Sequence, residues 1–372
     1  YLTKVATEDT RSTAYWASYA TRRNNNSLVI SLNTLPSDWD VQANLSADGT
    51  ETWSSIFTTT NSDDIISYIP LPPSSRQGIT TEIPKAFGYD YYSTTNTGNA
   101  RYIDEIQIYP SDNYVALSNK QPYYYYSTSS TNSVKVINEA SIGDTRYNNI
   151  TRVNTDEESD STTVWVTKYT TARVILYRNT TVLLHLAEAF NRLGLYDAAF
   201  AILKDGINRY LPYTLYMRPS TLEALQTTYP LLSSENISKF SSAGSYYGVH
   251  SHGAGFSTDY YSPTMYIGSS PYQLQPIVGK KMAEIANEYS VAVGTTLADS
   301  VNAMEDLLCD EYALEFAFEG SRFYDLCRLA RHKNADNTYG ANFGGQWLAK
   351  KLAYKKPAVA LDDEKNWYLP FK

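Results

Sequence analysis

The densest group of chemically capable side chains lies near the C-terminus, in the segment DLLCDEYALEFAFEGSRFYDLCRLAR. Glu311, Glu315 and Glu319 recur every four residues, so a helix would place them along one side. Paired carboxylates can act as general acid and base, but only where one is desolvated enough to hold its proton near neutral pH. Arg322 and Arg328 follow within a turn or two and would keep the carboxylates ionised. The pattern therefore favours structural ion pairs across a helical corner over catalysis.

Histidine and cysteine add little further chemistry. His250 and His252 stand in the sequence HSHG and could bind a metal, but no third ligand lies nearby, so a solvated loop is favoured and no metal site is predicted. Cys309 and Cys327 could form a disulfide only if the corner folds them together, and two buried thiols are expected. No nucleophile elbow, phosphate-binding loop or dinucleotide fingerprint is present. We therefore predict no catalytic residue and no cofactor.

Tyrosine is the most unusual feature of the composition, at 34 of 372 residues. Its flat apolar face and polar tip suit an exposed surface that stacks on a ligand and hydrogen-bonds it. Consecutive residues of a strand face opposite ways, so four tyrosines in a row cannot all be buried. The predicted ligand-binding residues are Trp53, Tyr89, Tyr91, Tyr92, Tyr123, Tyr124, Tyr125, Tyr126, Tyr246 and Tyr247.

The type of ligand stays open on these residues alone. Tyrosines among serine, threonine and asparagine suit sugar rings and their hydroxyl groups, but the same composition also recognises proteins and peptides. The formal net charge of −8 offers no electrostatic attraction for nucleic acid or an anionic membrane. No apolar stretch approaches the roughly 20 residues of a transmembrane helix.

The order of elements along the chain predicts one domain over residues 1–372 in two differing parts. Residues 27–165 consist of short strand-like pieces and long polar loops broken by prolines, an irregular part. Residues 166–372 are mainly helical, with a long loop at 241–276 and a strand-like end, NWYLPFK. A helix is also predicted within residues 1–26. The fold class is therefore mainly α, with long irregular loops and a few short strands.

One helix pair in the second part matches a tetratricopeptide-type repeat. In VLLHLAEAFNRLGLYDAAFAILKDGINRYLP, Gly194 occupies the turn, and the small residues Ala187, Ala199 and Gly206 allow the two helices to approach closely. A lone repeat cannot bury both faces, so further helices are expected to stack on it. The corner at Gly320 is predicted to join two more helices, the first of them amphipathic.

The chain resembles the SusD/RagB family of surface nutrient-binding lipoproteins of Bacteroidetes. The resemblance covers roughly residues 166–372 and rests on the repeat-like helix pair, the closing WYLPFK and above all the pattern E-x-x-x-E-x-x-x-E-G-x-R-x-x-D-L-x-R. The residues that match this pattern are Glu311, Glu315, Glu319, Gly320, Arg322, Asp325, Leu326 and Arg328.

The resemblance implies a non-catalytic protein that binds an oligosaccharide at the cell surface and delivers it to a SusC-like TonB-dependent outer-membrane transporter. A peptide-binding or structural lid of the same kind of complex is the alternative. The family's lipid-bearing cysteine and N-terminal helices are not found, so that part of the pattern, with its membrane anchor, is expected to be missing from this chain. Family ligand contacts lie in loops that do not align by motif, so none can be transferred.

Overall fold

A computed structural model describes residues 53, 55–58, 65–70, 83, 86–91, 100–102, 106–121, 123–128, 134–139, 143–156, 161–169, 173–207, 211–214, 216–239, 248–254 and 272–368. This part of the chain is mainly helical, which confirms the predicted fold class. None of the helices within it is both long and apolar enough to cross a membrane. The helix predicted within residues 1–26 lies outside the described residues.

Twelve α-helices are named here in chain order. They are α1 (Ser55–Thr58), α2 (Asp112–Lys120), α3 (Thr145–Asn149), α4 (Asn179–Arg192), α5 (Tyr196–Asp205), α6 (Pro219–Thr227), α7 (Ser234–Lys239), α8 (Ser251–Ala254), α9 (Leu274–Tyr289), α10 (Leu297–Glu315), α11 (Arg322–Asp336) and α12 (Phe343–Leu352).

The strands form two-stranded antiparallel sheets that pair β1 with β8, β2 with β3, β4 with β5 and β6 with β7. They are β1 (Ile65–Pro70), β2 (Tyr89–Tyr91), β3 (Ala100–Tyr102), β4 (Tyr123–Thr128), β5 (Val134–Glu139), β6 (Thr151–Asp156), β7 (Ser161–Val166) and β8 (Arg173–Arg178). Part of the stretch predicted to be irregular is therefore built from regular hairpins.

The predicted helix pair is present as α4 and α5. Gly194 turns the chain between them with φ of 79°, a left-handed conformation that glycine adopts without steric cost. Ala187 and Ala199 are fully buried where the helices meet. The stacking of further repeats on this pair stays a prediction.

The centre of the molecule is α10, which contacts α4, α5, α9 and α11. Thr296 and Asp299 form a capping box at its start. Most of its residues are buried on all sides, so the prediction of an amphipathic helix was wrong. The helix ends at Glu315, because Phe318 (φ 67°) and Gly320 (φ 86°) turn the chain before α11.

The C-terminal helices form a second hydrophobic cluster around Trp347, Leu329 and Trp367. The prediction of a strand-like end was wrong for its described residues, because Glu364–Trp367 is a 3-10 turn. The long loop is also shorter than predicted, since α9 begins at Leu274 and accommodates Pro276 in its first turn, where no backbone donor is needed.

Candidate functional site

The three glutamates of the corner segment lie at the C-terminal end of α10, deep in the protein. Glu311 and Glu315 are buried on the last two turns of the helix. Glu319 follows in the corner and is mostly buried. All three carboxylates meet cations that come from distant parts of the chain, and this determines what chemistry they can perform.

Arg146 on α3 links the first two of these glutamates. One of its terminal nitrogens, Nη1, donates to Glu311 at 2.6 Å and to Glu315 at 2.8 Å. Its other nitrogens donate to Asp144 just ahead of α3, the closest at 2.7 Å. All four side chains are almost completely shielded from solvent. Ionised, multiply hydrogen-bonded pairs of this kind satisfy buried charges that would otherwise be very costly.

Arg178 and Lys168 complete the cationic side of the cluster. Arg178 at the end of β8 donates to Glu315 at 2.8 Å and to Glu319 at 2.9 Å. Lys168, two residues after β7, donates to Glu319 at 2.6 Å and to the backbone carbonyl of Glu315. The glutamates thereby connect α10 with α3, with β8 and with the end of β7.

Two imidazoles approach the same carboxylates from the other side. His250 Nδ1 lies 3.1 Å from Glu311, and His252 Nδ1 lies 3.1 Å from Glu315. An ionised carboxylate only accepts hydrogen bonds, so each imidazole donates from Nδ1. Both histidines are buried, and the His250 ring stacks on Tyr272 at a centroid distance of 4.0 Å. The interpretation of HSHG as a solvated loop was therefore wrong.

The electrostatics keep these carboxylates ionised. Burial alone would raise the pKa of Glu311, but Arg146 and His250 outweigh it and lower that pKa to about 2. In the same way, His252, Arg178 and Arg146 hold the pKa of Glu315 well below its ordinary value against the effect of burial. A general acid needs the opposite shift. Glu311 and Glu315 therefore stabilise the fold as carboxylates and offer no proton near neutral pH.

The predicted partners of the glutamates were wrong, although their pairing was anticipated. Arg322 donates instead to the backbone carbonyl of Cys309 at 2.6 Å. Arg328 binds Glu188 of α4 through two hydrogen bonds of 2.8 and 2.9 Å, and Asp325 on its own helix. Both arginines lie on α11, which turns away from the side of α10 that carries the carboxylates.

The structure also corrects one predicted ligand residue. Trp53 is only 1% exposed, and its indole nitrogen donates to Glu315 at 3.0 Å. Its ring lies edge-on to Phe57, and the ammonium group of Lys168 approaches its face. Polar neighbours in the sequence suggested exposure, but Trp53 belongs to the wall of the buried ionic cluster and cannot contact a ligand there.

The remaining predicted ligand residues are placed only in part. Tyr89 and Tyr91 lie on β2, and residues 123–126 lie consecutively on β4, paired in register with residues 136–139 of β5. Tyr92, Tyr246 and Tyr247 lie outside the described residues. The role of all these tyrosines in binding stays a prediction.

Within the described ranges, the acids, histidines and cysteines form no group of three or more that could hold a metal ion. Cys309 and Cys327 are both buried and free, as predicted. The buried carboxylates of the ionic cluster are paired with cationic side chains of the protein.

A surface cleft of about 340 Å³ opens between α2, α3 and β7. Tyr109, Asp112, Tyr147, Thr162 and Thr163 contribute its aromatic and polar lining. None of these residues was predicted. They lie in three separate segments of the sequence. Only Tyr109, next to Pro110 and just ahead of α2, has local sequence features that suggest an exposed aromatic residue.

Comparison with known proteins gives one match. Residues 279–372 match the family model described as the SusD family, a region that includes α10 to α12 and the glutamate corner. No match was found among curated proteins or among solved structures. In this C-terminal region, the chain is similar to the SusD family.

Proposed function

We propose that this protein is a non-catalytic binding protein that captures an oligosaccharide at the cell surface and delivers it to a SusC-like TonB-dependent transporter. The observation that carries the proposal is the match of residues 279–372 to the SusD family, whose members bind nutrients in uptake complexes. Lipid anchoring at the outer membrane belongs to the same proposal.

The state of the carboxylates supports binding without catalysis. The glutamates that could have formed an active site are buried, ionised and hydrogen-bonded to cations. Such groups are neither accessible to a substrate nor able to donate a proton. Binding must therefore use other side chains.

The tyrosine-bearing segments suit a sugar, which we take as the first candidate ligand. Aromatic faces stack on the apolar faces of sugar rings, while threonine and serine hydroxyls match sugar hydroxyls. We propose that Tyr89, Tyr91, Tyr92, residues 123–126, Tyr246 and Tyr247 contribute such contacts. A peptide-binding or structural lid of the same uptake complex is the second candidate, because tyrosine, serine and glycine also recognise peptides.

Isothermal titration calorimetry on the full chain distinguishes these candidates. We expect at least one member of a panel of plant, host and microbial oligosaccharides to bind, and oligopeptides of similar length to give no heat. Saturable binding of peptides alone would favour the second candidate. If the folded protein bound no oligosaccharide of the panel, oligosaccharide binding as the function would be contradicted.

The predicted tyrosines can be tested with the same assay. Tyr124→Ala on β4 is expected to weaken oligosaccharide binding, while the control Tyr324→Ala, which removes an exposed tyrosine of α11, is expected to leave it unchanged. Equal binding by both variants would remove β4 from the proposed surface.

A further inference from the structure

We propose that the cleft between α2, α3 and β7 is a binding site for one neutral pyranose ring, which stacks on Tyr109. The class of ligand rests on the proposed function, whereas the location and the preference for an uncharged sugar come from the cleft itself.

The size and lining of the cleft fit a sugar residue. Its volume of about 340 Å³ falls at the lower end of the range for small-molecule pockets, roughly 300–1,000 Å³. Tyr109 lies at the edge of the cleft, is 66% exposed and offers an open aromatic face. Thr162 and Thr163 on β7 bring hydroxyl groups, which both donate and accept hydrogen bonds.

The second aromatic residue of the cleft is held rigidly from behind. Tyr147 meets the ring of Tyr114 edge-on at a centroid distance of 5.8 Å. Tyr114 in turn packs edge-on against Phe318 in the glutamate corner at 5.6 Å. A ring fixed in this way loses little conformational freedom when a ligand binds, so more of the contact energy remains as affinity.

The walls of the cleft are anchored by the buried ionic cluster. Arg146, the residue before Tyr147, is bound by Glu311 and Glu315 and therefore fixes α3. Lys168 holds the end of β7 to Glu319. Glu311, Glu315 and Glu319 thus support the walls of the cleft without lining it.

Backbone hydrogen bonds fix the remaining two sides. The N–H of Asp144 donates to the carbonyl of Ser118 at 2.9 Å, and the Ser118 hydroxyl donates back to the carbonyl of Asp144 at 2.9 Å, which joins α2 to α3. The N–H groups of Gln107 and Ile108 both donate to the carbonyl of Ala86, which holds the loop before Tyr109. These bonds hold the described walls of the cleft in place.

The charge of the lining determines which sugars fit. Asp112 is the one charged residue among the described residues that line the cleft. A carboxylate accepts hydrogen bonds from sugar hydroxyls but repels another carboxylate. A neutral hexose is therefore favoured over a uronic acid.

Saturation-transfer NMR on the full chain tests the proposal with methyl glucoside, methyl galactoside and methyl mannoside, with methyl glucuronide as the acidic probe. We expect at least one neutral glycoside to give a signal, the glucuronide to give a weaker one, and Tyr109→Ala to reduce the neutral signal at least threefold. The control Tyr213→Ala, which removes a tyrosine that is 71% exposed on another surface, is expected to retain the signal. Asp112→Asn is expected to reduce the difference in saturation-transfer signal between the neutral glycosides and the glucuronide.

The outcomes separate this proposal from the proposed function. No glycoside signal in the wild-type protein, or a signal that Tyr109→Ala and Tyr213→Ala leave equal, would overturn the site. If oligosaccharides bind in calorimetry independently of Tyr109, the site falls while the function stands. If a Tyr109-dependent glycoside signal occurs with no oligosaccharide binding, the site stands and the function falls.

Discussion

The guanidinium group of Arg146 lies 2.8 Å from the carboxylate of Glu315, although the two residues are 169 positions apart in the chain. This ion pair joins the loop-rich first part of the chain to its central helix. Because both side chains are fully buried, removing either charge leaves its partners with one opposite charge fewer in a region of low polarity.

Glu315→Gln is therefore expected to destabilise the protein by about 3–5 kcal/mol. The amide cannot accept charge-assisted hydrogen bonds from Arg146, Arg178 and His252 at once, and one of its N–H groups would face a cation. The free energy of unfolding in urea measures the effect.

The matched control is Glu364→Gln, whose carboxylate pairs with Arg331 at 2.9 Å on the surface. Exposed pairs contribute about 0–1 kcal/mol, so little change is expected. If the two variants were equally stable, Glu315 would not act as a structural anchor.

The stability of the protein should fall at acidic pH, and Glu311 should contribute to this fall. Because its folded-state pKa of about 2 lies below the ordinary value of 4.5, the unfolded chain binds the proton first as the pH falls. The stabilisation is fully present above about pH 5 and is lost as the pH falls toward 2, on the order of 3 kcal/mol for this group.

Urea unfolding at several pH values between 7 and 2.5 measures this loss. The Glu311→Gln variant lacks the titrating group, so its stability is expected to fall less steeply than that of the wild type below pH 5. Parallel curves for the two proteins would show that Glu311 does not carry the effect.

Two glycines should respond to alanine in opposite directions. At Gly344 on α12, an added methyl group would lie 1.8 Å from the backbone oxygen of Ala330, so Gly344→Ala is expected to cost roughly 1–3 kcal/mol or more. At Gly279 inside α9, nothing described lies within 4 Å, so Gly279→Ala is expected to stabilise by about 0.5–1 kcal/mol. Thermal unfolding measures both, and a stable Gly344→Ala variant would contradict the close contact of α12 with α11.

The thiols of Cys309 and Cys327 should be unreactive in the folded protein. Burial raises the pKa of both the Cys309 and the Cys327 thiols, and the thiolate is the reactive form. We expect no reaction with Ellman's reagent under native conditions and two thiols per chain in urea. Rapid native labelling, or fewer than two thiols after unfolding without reductant, would contradict the free, buried state.

Local pattern was sufficient for the features that depend on neighbours in sequence. The turn at Gly194 and the helices beside it follow from apolar periodicity, and the corner motif was recognisable because its residues are spaced by helical turns. The ion-pair partners of the glutamates could not be predicted from local pattern. Arg146 meets Glu311 across 165 positions, and nothing in the local sequence of either residue encodes that contact.

Exposure was the least predictable property. Trp53 stands among polar residues yet is buried against Glu315, and His250 and His252 lie in a segment rich in glycine and serine yet are buried. Conversely, Tyr109 and Tyr147 meet in one cleft only because α2 and α3 are held together by Ser118 and Asp144. Side-chain environment in these segments depends on long-range pairing, which a single sequence does not reveal.

Glu311, Glu315 and Glu319 anchor distant elements of the chain to α10 and the corner that follows it. A double-mutant cycle of Glu319→Gln and Lys168→Met tests this anchoring most directly. The two groups lie 2.6 Å apart at the edge of the cluster. Glu319→Gln also removes the ion pair with Arg178, but this loss is shared by the single and the double variant and cancels in the cycle. We expect a coupling free energy of about 1–3 kcal/mol in urea unfolding. Additive effects of the two substitutions, within about 0.3 kcal/mol, would contradict it.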